Sequence, residues 1–177
     1  MAGEKAKENA KKEKAVDGKG GNRGRLLAVV RVRGTRGLRR TISRTLELFG
    51  MTRKHSCVLV RQNASVDGML VKAKDYATWG EASEATVAAL LGKKASLAGG
   101  KRLDDGYVSA HTGFKSVGEL VRALGEGMTD LGVVPGLSKV FRLQPPKGGF
   151  DDTKRLYPAG ACGYRGEKIN ELVMKML

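Results

Sequence analysis

Five arginines fall within the ten residues Arg31-Val32-Arg33-Gly34-Thr35-Arg36-Gly37-Leu38-Arg39-Arg40, and no acid interrupts them. The run lies where an apolar, β-branched stretch, Leu26 to Val32, gives way to a helix-like stretch, Leu38 to Phe49. A strand that empties through a glycine-containing turn into a helix N-terminus presents free backbone N–H groups, and guanidinium forks around them match phosphate oxygens. The chemistry offered is recognition of a phosphate backbone. Gly34-Thr35-Arg36-Gly37 occupies the place of a nucleotide-binding loop, yet it lacks both the Gly-Lys-Ser/Thr ending of a P-loop and the third glycine of a dinucleotide turn. A nucleic-acid phosphate satisfies it as well as a nucleotide would.

The charge balance points the same way. Lys and Arg number 33 against 18 Asp and Glu, a formal net charge of +15 on 177 residues. Such an excess destabilises a compact chain by self-repulsion, whereas a polyanionic partner repays it through counterion release. A membrane partner is not expected, because the chain contains no 18-residue apolar run and its N-terminus lacks the apolar core of a signal peptide. Catalysis is equally poorly supported. Asp104-Asp105 and Asp151-Asp152 are sequence neighbours in turn-prone surroundings, and adjacent side chains do not share a helix face. His55 and His111 are the only histidines, and Cys57 and Cys162 belong to no C-x-x-C pair. The cysteines read as a buried strand thiol and a loop thiol in a reducing, cytoplasmic compartment. No enzymatic activity, cofactor, metal or small-molecule substrate is expected.

The elements that must position the arginines follow from periodicity. Residues 1–24 are rich in Lys, Glu, Ala, Asn and Gly with a single branched apolar residue, Val16, and read as a disordered basic tail that orders on RNA. Residues 25–82 read as a β-α-β-α-β unit. Its strands are Leu26 to Val32, Cys57 to Arg61 and Thr78 to Glu81, and its helices run from Leu38 to Phe49 and from Val66 to Ala77. Gly50 is placed to end the first helix and Ser65 to cap the second. Leu38, Ile42, Leu46 and Phe49 form the buried stripe of the first helix, which leaves Arg36, Arg40 and Arg44 on its solvent side. Residues 83–177 read as a mostly helical extension with one late strand, 139–143, stopped by Pro145-Pro146. The fold class is therefore α+β, with a small antiparallel sheet.

Aromatic residues make up only 5% of the chain, and the strands Leu26 to Val32 and Cys57 to Arg61 contain none. Base stacking on a sheet is thus not the expected mode, and recognition of folded RNA by shape and phosphate contact is. The expected contacts are Arg31, Arg33, Gly34, Thr35, Arg36, Gly37, Arg39, Arg40 and Arg44. Arg53, Lys54 and His55 extend that surface, and Arg61, Lys72, Lys101, Arg102 and Lys147 are secondary contacts. Trp79 is expected to pack between core and extension.

Several motifs, in order, also resemble a known family. They are Arg31-Val32-Arg33-Gly34-Thr35-Arg36-Gly37, Arg53-Lys54-His55-Ser56-Cys57-Val58, Gly68-Met69-Leu70, Asp75 to Glu81, Leu97 to Leu103 and Phe141 to Phe150. Together they are similar to ribosomal protein L-thirty, and more closely to its long archaeal members, whose eukaryotic relatives are called L-seven. The resemblance spans about residues 25–150. It implies a ferredoxin-like β-α-β-α-β core in the large ribosomal subunit, bound to large-subunit rRNA beside neighbouring ribosomal proteins. It also implies a C-terminal section absent from the short bacterial forms. Asp67 stands where family members often carry arginine. A free-standing RNA-binding regulator of similar fold is the alternative reading.

Overall fold

β1 (Leu26–Arg31) is the central strand because its sequence is apolar on both faces: Leu27 to Arg31 are all buried. The computed structural model describes residues 24–177, so the expected tail, apart from Gly24, lies outside the described residues. β1 pairs antiparallel with β2 (Ser56–Arg61) on one side and β3 (Ala77–Glu81) on the other. β4 (Val140–Arg142) adds antiparallel to β2, and β5 (Gly163–Tyr164) adds parallel to β3, giving the order β4-β2-β1-β3-β5. The expected β-α-β-α-β order is present. The sheet is mixed rather than purely antiparallel, because β5, a two-residue strand too short to show a period, enters at the edge.

Alternation along β1 sends successive side chains to different layers. Leu27 and Val29 pack with Leu46, Phe49, Met51 and Leu70 from the side of α1 (Arg40–Leu48) and α2 (Ala64–Ala73). Ala28 and Val30 pack with Leu90, Leu120, Leu124 and Val173 from α3 (Glu84–Lys94), α5 (Val117–Glu126) and α6 (Ile169–Met176). The short α4 (Asp105–His111) joins this second layer through Val108. The C-terminal section thus covers the sheet face that the core helices leave open.

Three expectations about local structure need correction. The first helix opens at Arg40 rather than Leu38, with Arg39 at its N-cap position, so Arg36 belongs to the preceding turn and not to the helix face. The second helix spans Ala64–Ala73 and is capped by Asn63, whose Oδ1 accepts from the Val66 N–H at 2.8 Å, and not by Ser65. Asn is as good an N-cap as Ser, and the apolar pattern alone did not mark the boundary. Trp79 packs with the α1/α2 layer, because alternation puts it on the face opposite the extension; its backbone carbonyl accepts from Arg165 N of the C-terminal section at 2.8 Å.

Gly50 ends α1 as expected. Its φ is +75°, its N–H donates to Glu47 O, and the next N–H, of Met51, donates to Leu46 O. This is the Schellman pattern, which delivers the chain back toward β2. A different constraint acts at Gly80, where a Cβ would lie 2.0 Å from the Gly166 carbonyl oxygen. Gly80→Ala should therefore force β3 away from the Gly166 turn and cost about 1–3 kcal/mol, as overpacking does. A urea midpoint unchanged from wild type would show that the turn yields freely.

Candidate nucleic-acid interface

The strand polarities bring the C-terminal end of β1 beside the N-terminal ends of β2 and β3. The turn after β1, the loop after α1 and the turn before β3 therefore meet, and between them lies an open cleft of about 600 Å³. Its lining consists of Arg33, Gly34, Thr35, Arg36, Thr52, Arg53, Lys54 and Tyr76. Four cations converge there and no carboxylate lines the wall. Arg33 is held in place: its guanidinium lies 4.8 Å from the centre of the Tyr76 ring and donates to Asp75 O at 3.3 Å. Arg36, Arg53 and Lys54 are exposed and free to follow a ligand.

Arg31 has a different place from its neighbours. Its side chain is 2% exposed and donates to three carbonyl oxygens, those of Arg33 (2.9 Å), Gly34 (3.0 Å) and Met51. Arg31, expected as a phosphate contact, does not line the cleft: its fork is spent inside the protein, clamping the turn to the loop after α1. Burial lowers its pKa from the ordinary guanidinium value, yet guanidinium remains charged at neutral pH. Arg61 is likewise turned inward. It donates to Asp130 Oδ1 at 3.0 Å and to the carbonyls of Leu124 and Thr129, each at 2.7 Å, at the C-terminal end of α5. A cation there complements the helix dipole, so Arg61 serves α5 rather than facing outward as a contact.

The other expected contacts are dispersed. Arg40 and Arg44 line a separate hollow on α1 with Ser43, Glu47 and Leu48. Arg39 is exposed at the helix start, and Gly37 has a φ of +70° in the turn before it. Lys72, Lys101 and Arg102 are exposed but line neither hollow, and Lys147 lines a cleft built by the C-terminal section. Tyr76 and Thr52 are cleft residues that sequence reasoning missed. Tyr76 falls inside the expected second helix, Val66 to Ala77, and the earlier end of that helix at Ala73 releases it to the cleft.

His55 does not line the cleft and packs on the C-terminal section instead of extending the cleft's charge. It adopts a φ of +63° at the start of β2, and its ring stacks on Phe150 with centroids 5.7 Å apart and planes 5° from parallel. Burial first, and Lys54 second, lower its pKa from the ordinary imidazole value. The folded state therefore resists protonation that the unfolded chain accepts near pH 6.5. Stability from the neutral ring is present above that pH and is lost as pH falls through the lowered folded value. The thermal midpoint should drop between pH 7.5 and 5.5 by more in the wild-type chain than in His55→Asn, asparagine being tolerant of positive φ. Equal drops would assign the acid sensitivity elsewhere.

The cysteines are structural. Burial pushes the Cys57 thiol up to about 12 and also raises that of Cys162. Cys162 Sγ lies within hydrogen-bond reach of both Asp75 O and Thr153 O, so its single S–H donates to one or the other, and the approach to Asp75 O joins the C-terminal section to the turn that carries Tyr76.

With this geometry in view, comparison with known proteins is decisive. A protein from Methanopyrus kandleri named large ribosomal subunit protein uL30 is 45% identical over 149 residues, covering 82% of this chain and 100% of its own. The chain belongs to the ribosomal protein L30p/L7e family. The model of that family matches residues 27–77. Proteins of the same name from Archaeoglobus fulgidus and Nanoarchaeum equitans are 40% and 41% identical, covering 85% and 86% of this chain and 99% of each relative. Every residue lining the first cleft, from Arg33 to Tyr76, lies inside the stretch matched by the L30p/L7e model. The archaeal relatives extend far beyond it, across most of the C-terminal section.

Proposed function

We propose that this chain is a structural, non-catalytic constituent of the large ribosomal subunit in the cytoplasm, holding folded rRNA by its phosphates in the cleft at the end of β1. The observation that carries the reading is the cleft lining: Arg33, Arg36, Arg53 and Lys54 converge without an opposing carboxylate. The names of the archaeal relatives support the setting. Arg33, fixed over Tyr76, acts as a preorganised fork, while Arg36, Arg53 and Lys54 adapt to the backbone path. Thr35 and Thr52 add hydroxyl donors. Arg40 and Arg44 continue the positive surface along α1, whose first turn carries no acid. Such contacts set register and orientation on an RNA without reading its bases. The partners are large-subunit rRNA and neighbouring ribosomal proteins. Among the described residues, no helix is long and apolar enough to cross a membrane.

Tagged full-length protein in a cell lysate should sediment with the large subunit through a sucrose gradient at moderate salt. Recovery only at the top of the gradient would overturn the assignment.

A further inference from the structure

We infer that the C-terminal section builds a second phosphate-binding cleft, which holds a stretch of RNA backbone separate from the one in the first. The inference rests on the RNA-binding role just proposed and adds a site to it. A cleft of about 320 Å³ lies between the Lys147-Gly148-Gly149 loop and α6. The cations Lys147, Arg165, Lys168 and Lys175 line it against two acids, Asp151 and Glu171. Among the described residues none of these four cations forms an ion pair.

The arrangement is built rather than incidental. The Arg165 guanidinium and the Lys168 ammonium both approach the Tyr157 ring, at 4.9 and 6.0 Å from its centre. Two like charges brought to one ring repel each other, and an anion between them relieves that cost. Arg165 is anchored through Nη2 to Ala161 O at 3.1 Å, while its buried Nε has no partner. The loop opposite is strapped to the helix end, Lys147 N donating to Lys175 O at 3.1 Å. Positions Gly148 and Gly149 have open space where a side chain would project, so a phosphate can approach their backbone.

The two clefts share no lining residue. Phe150, which lines the second, stacks on His55, the chain neighbour of the first-cleft residue Lys54, and packs against the cluster of Val32, Ala161 and Cys162. Convergence of cations in both clefts favours the same partner, RNA, over an acidic protein.

The test compares three full-length variants in a KCl series with isolated large-subunit rRNA, together with hydroxyl-radical footprints. Lys147, Lys168 and Lys175 are all exposed, so their triple change to Gln leaves the core intact. That variant should reduce the slope of log affinity against log salt by about two units. It should also lose a block of protected nucleotides that R36Q/R53Q/K54Q retains. The control K93Q/K115Q/K139Q, outside both clefts, sets the background for removing exposed charge. If the second-cleft triple matches the control while R36Q/R53Q/K54Q lowers the slope, the second cleft is refuted and the first stands. If neither cleft variant departs from the control, the RNA-binding role itself falls. Loss of an acidic ribosomal protein from reconstituted particles, with the RNA footprint intact, would make the cleft a protein site and overturn the inference.

Discussion

Arg31→Met should cost about 3 kcal/mol of folding stability, since it removes a buried cation that donates to three carbonyls and leaves those oxygens short of partners. The substitution keeps a long apolar stem, so the loss isolates the guanidinium rather than the packing. Arg31→Lys should recover only part of it, because an ammonium cannot reproduce a planar fork aimed at three acceptors. The consequence reaches the cleft. Arg31 ties the carbonyls of Arg33 and Gly34, both in the cleft lining, to that of Met51, the chain neighbour of the lining residue Thr52. Affinity for rRNA should therefore fall in Arg31→Met even though Arg31 faces no ligand, while the salt slope stays close to that of the wild-type chain. Urea unfolding and salt-dependent binding on the same preparation check both parts. A stability loss below about 1 kcal/mol would mean that the carbonyls find other donors.

The second large effect is electrostatic. Replacing Arg36, Arg53 and Lys54 together by Gln should leave folding nearly unchanged, as all three are exposed. It should reduce the slope of log affinity for rRNA against log salt by about 2–3 units, at roughly 0.7–0.9 for each phosphate no longer neutralised. Changing Arg40 and Arg44 instead should remove about 1.5 units, because they sit in a separate hollow beside Glu47, whose Oε1 accepts from Ser43 Oγ at 2.8 Å. A slope that stays at the wild-type value in the first variant would remove the cleft as the seat of phosphate binding. The two variants together separate the turn from the helix face, which sequence periodicity had merged into one surface.

That merger shows where sequence reasoning is strong and where it stops. Leu26 to Val32 is legible as a strand, and Gly50 as the end of a helix, because each depends on residues within a few positions of one another. The start of α1 is less legible: Leu38 continues the apolar stripe, but the helix opens only at Arg40. Arg36 consequently moved from helix face to turn. Tyr76 moved from helix to cleft for the same reason at the far end of α2. β5 escaped notice since its two residues gain their strand character from β3, far away in sequence.

From the sequence alone came the excess of positive charge, its concentration at one strand-to-helix junction, the β-α-β-α-β order and the family resemblance. These rest on composition and on short-range periodicity, which are properties of the chain before it folds. Only the tertiary structure decided which arginines are available. Arg31 and Arg33 alternate onto the same side of the strand direction, yet Arg31 is consumed by three backbone carbonyls and Arg33 is displayed over Tyr76. Arg61, expected at the surface, serves the end of α5. Lys147, expected as a secondary contact, stands among the cations beside α6. For the three arginines the physical reason is common: a guanidinium goes where its donors are best satisfied, and the acceptors that decide this are backbone oxygens and rings brought near only when the sheet has formed.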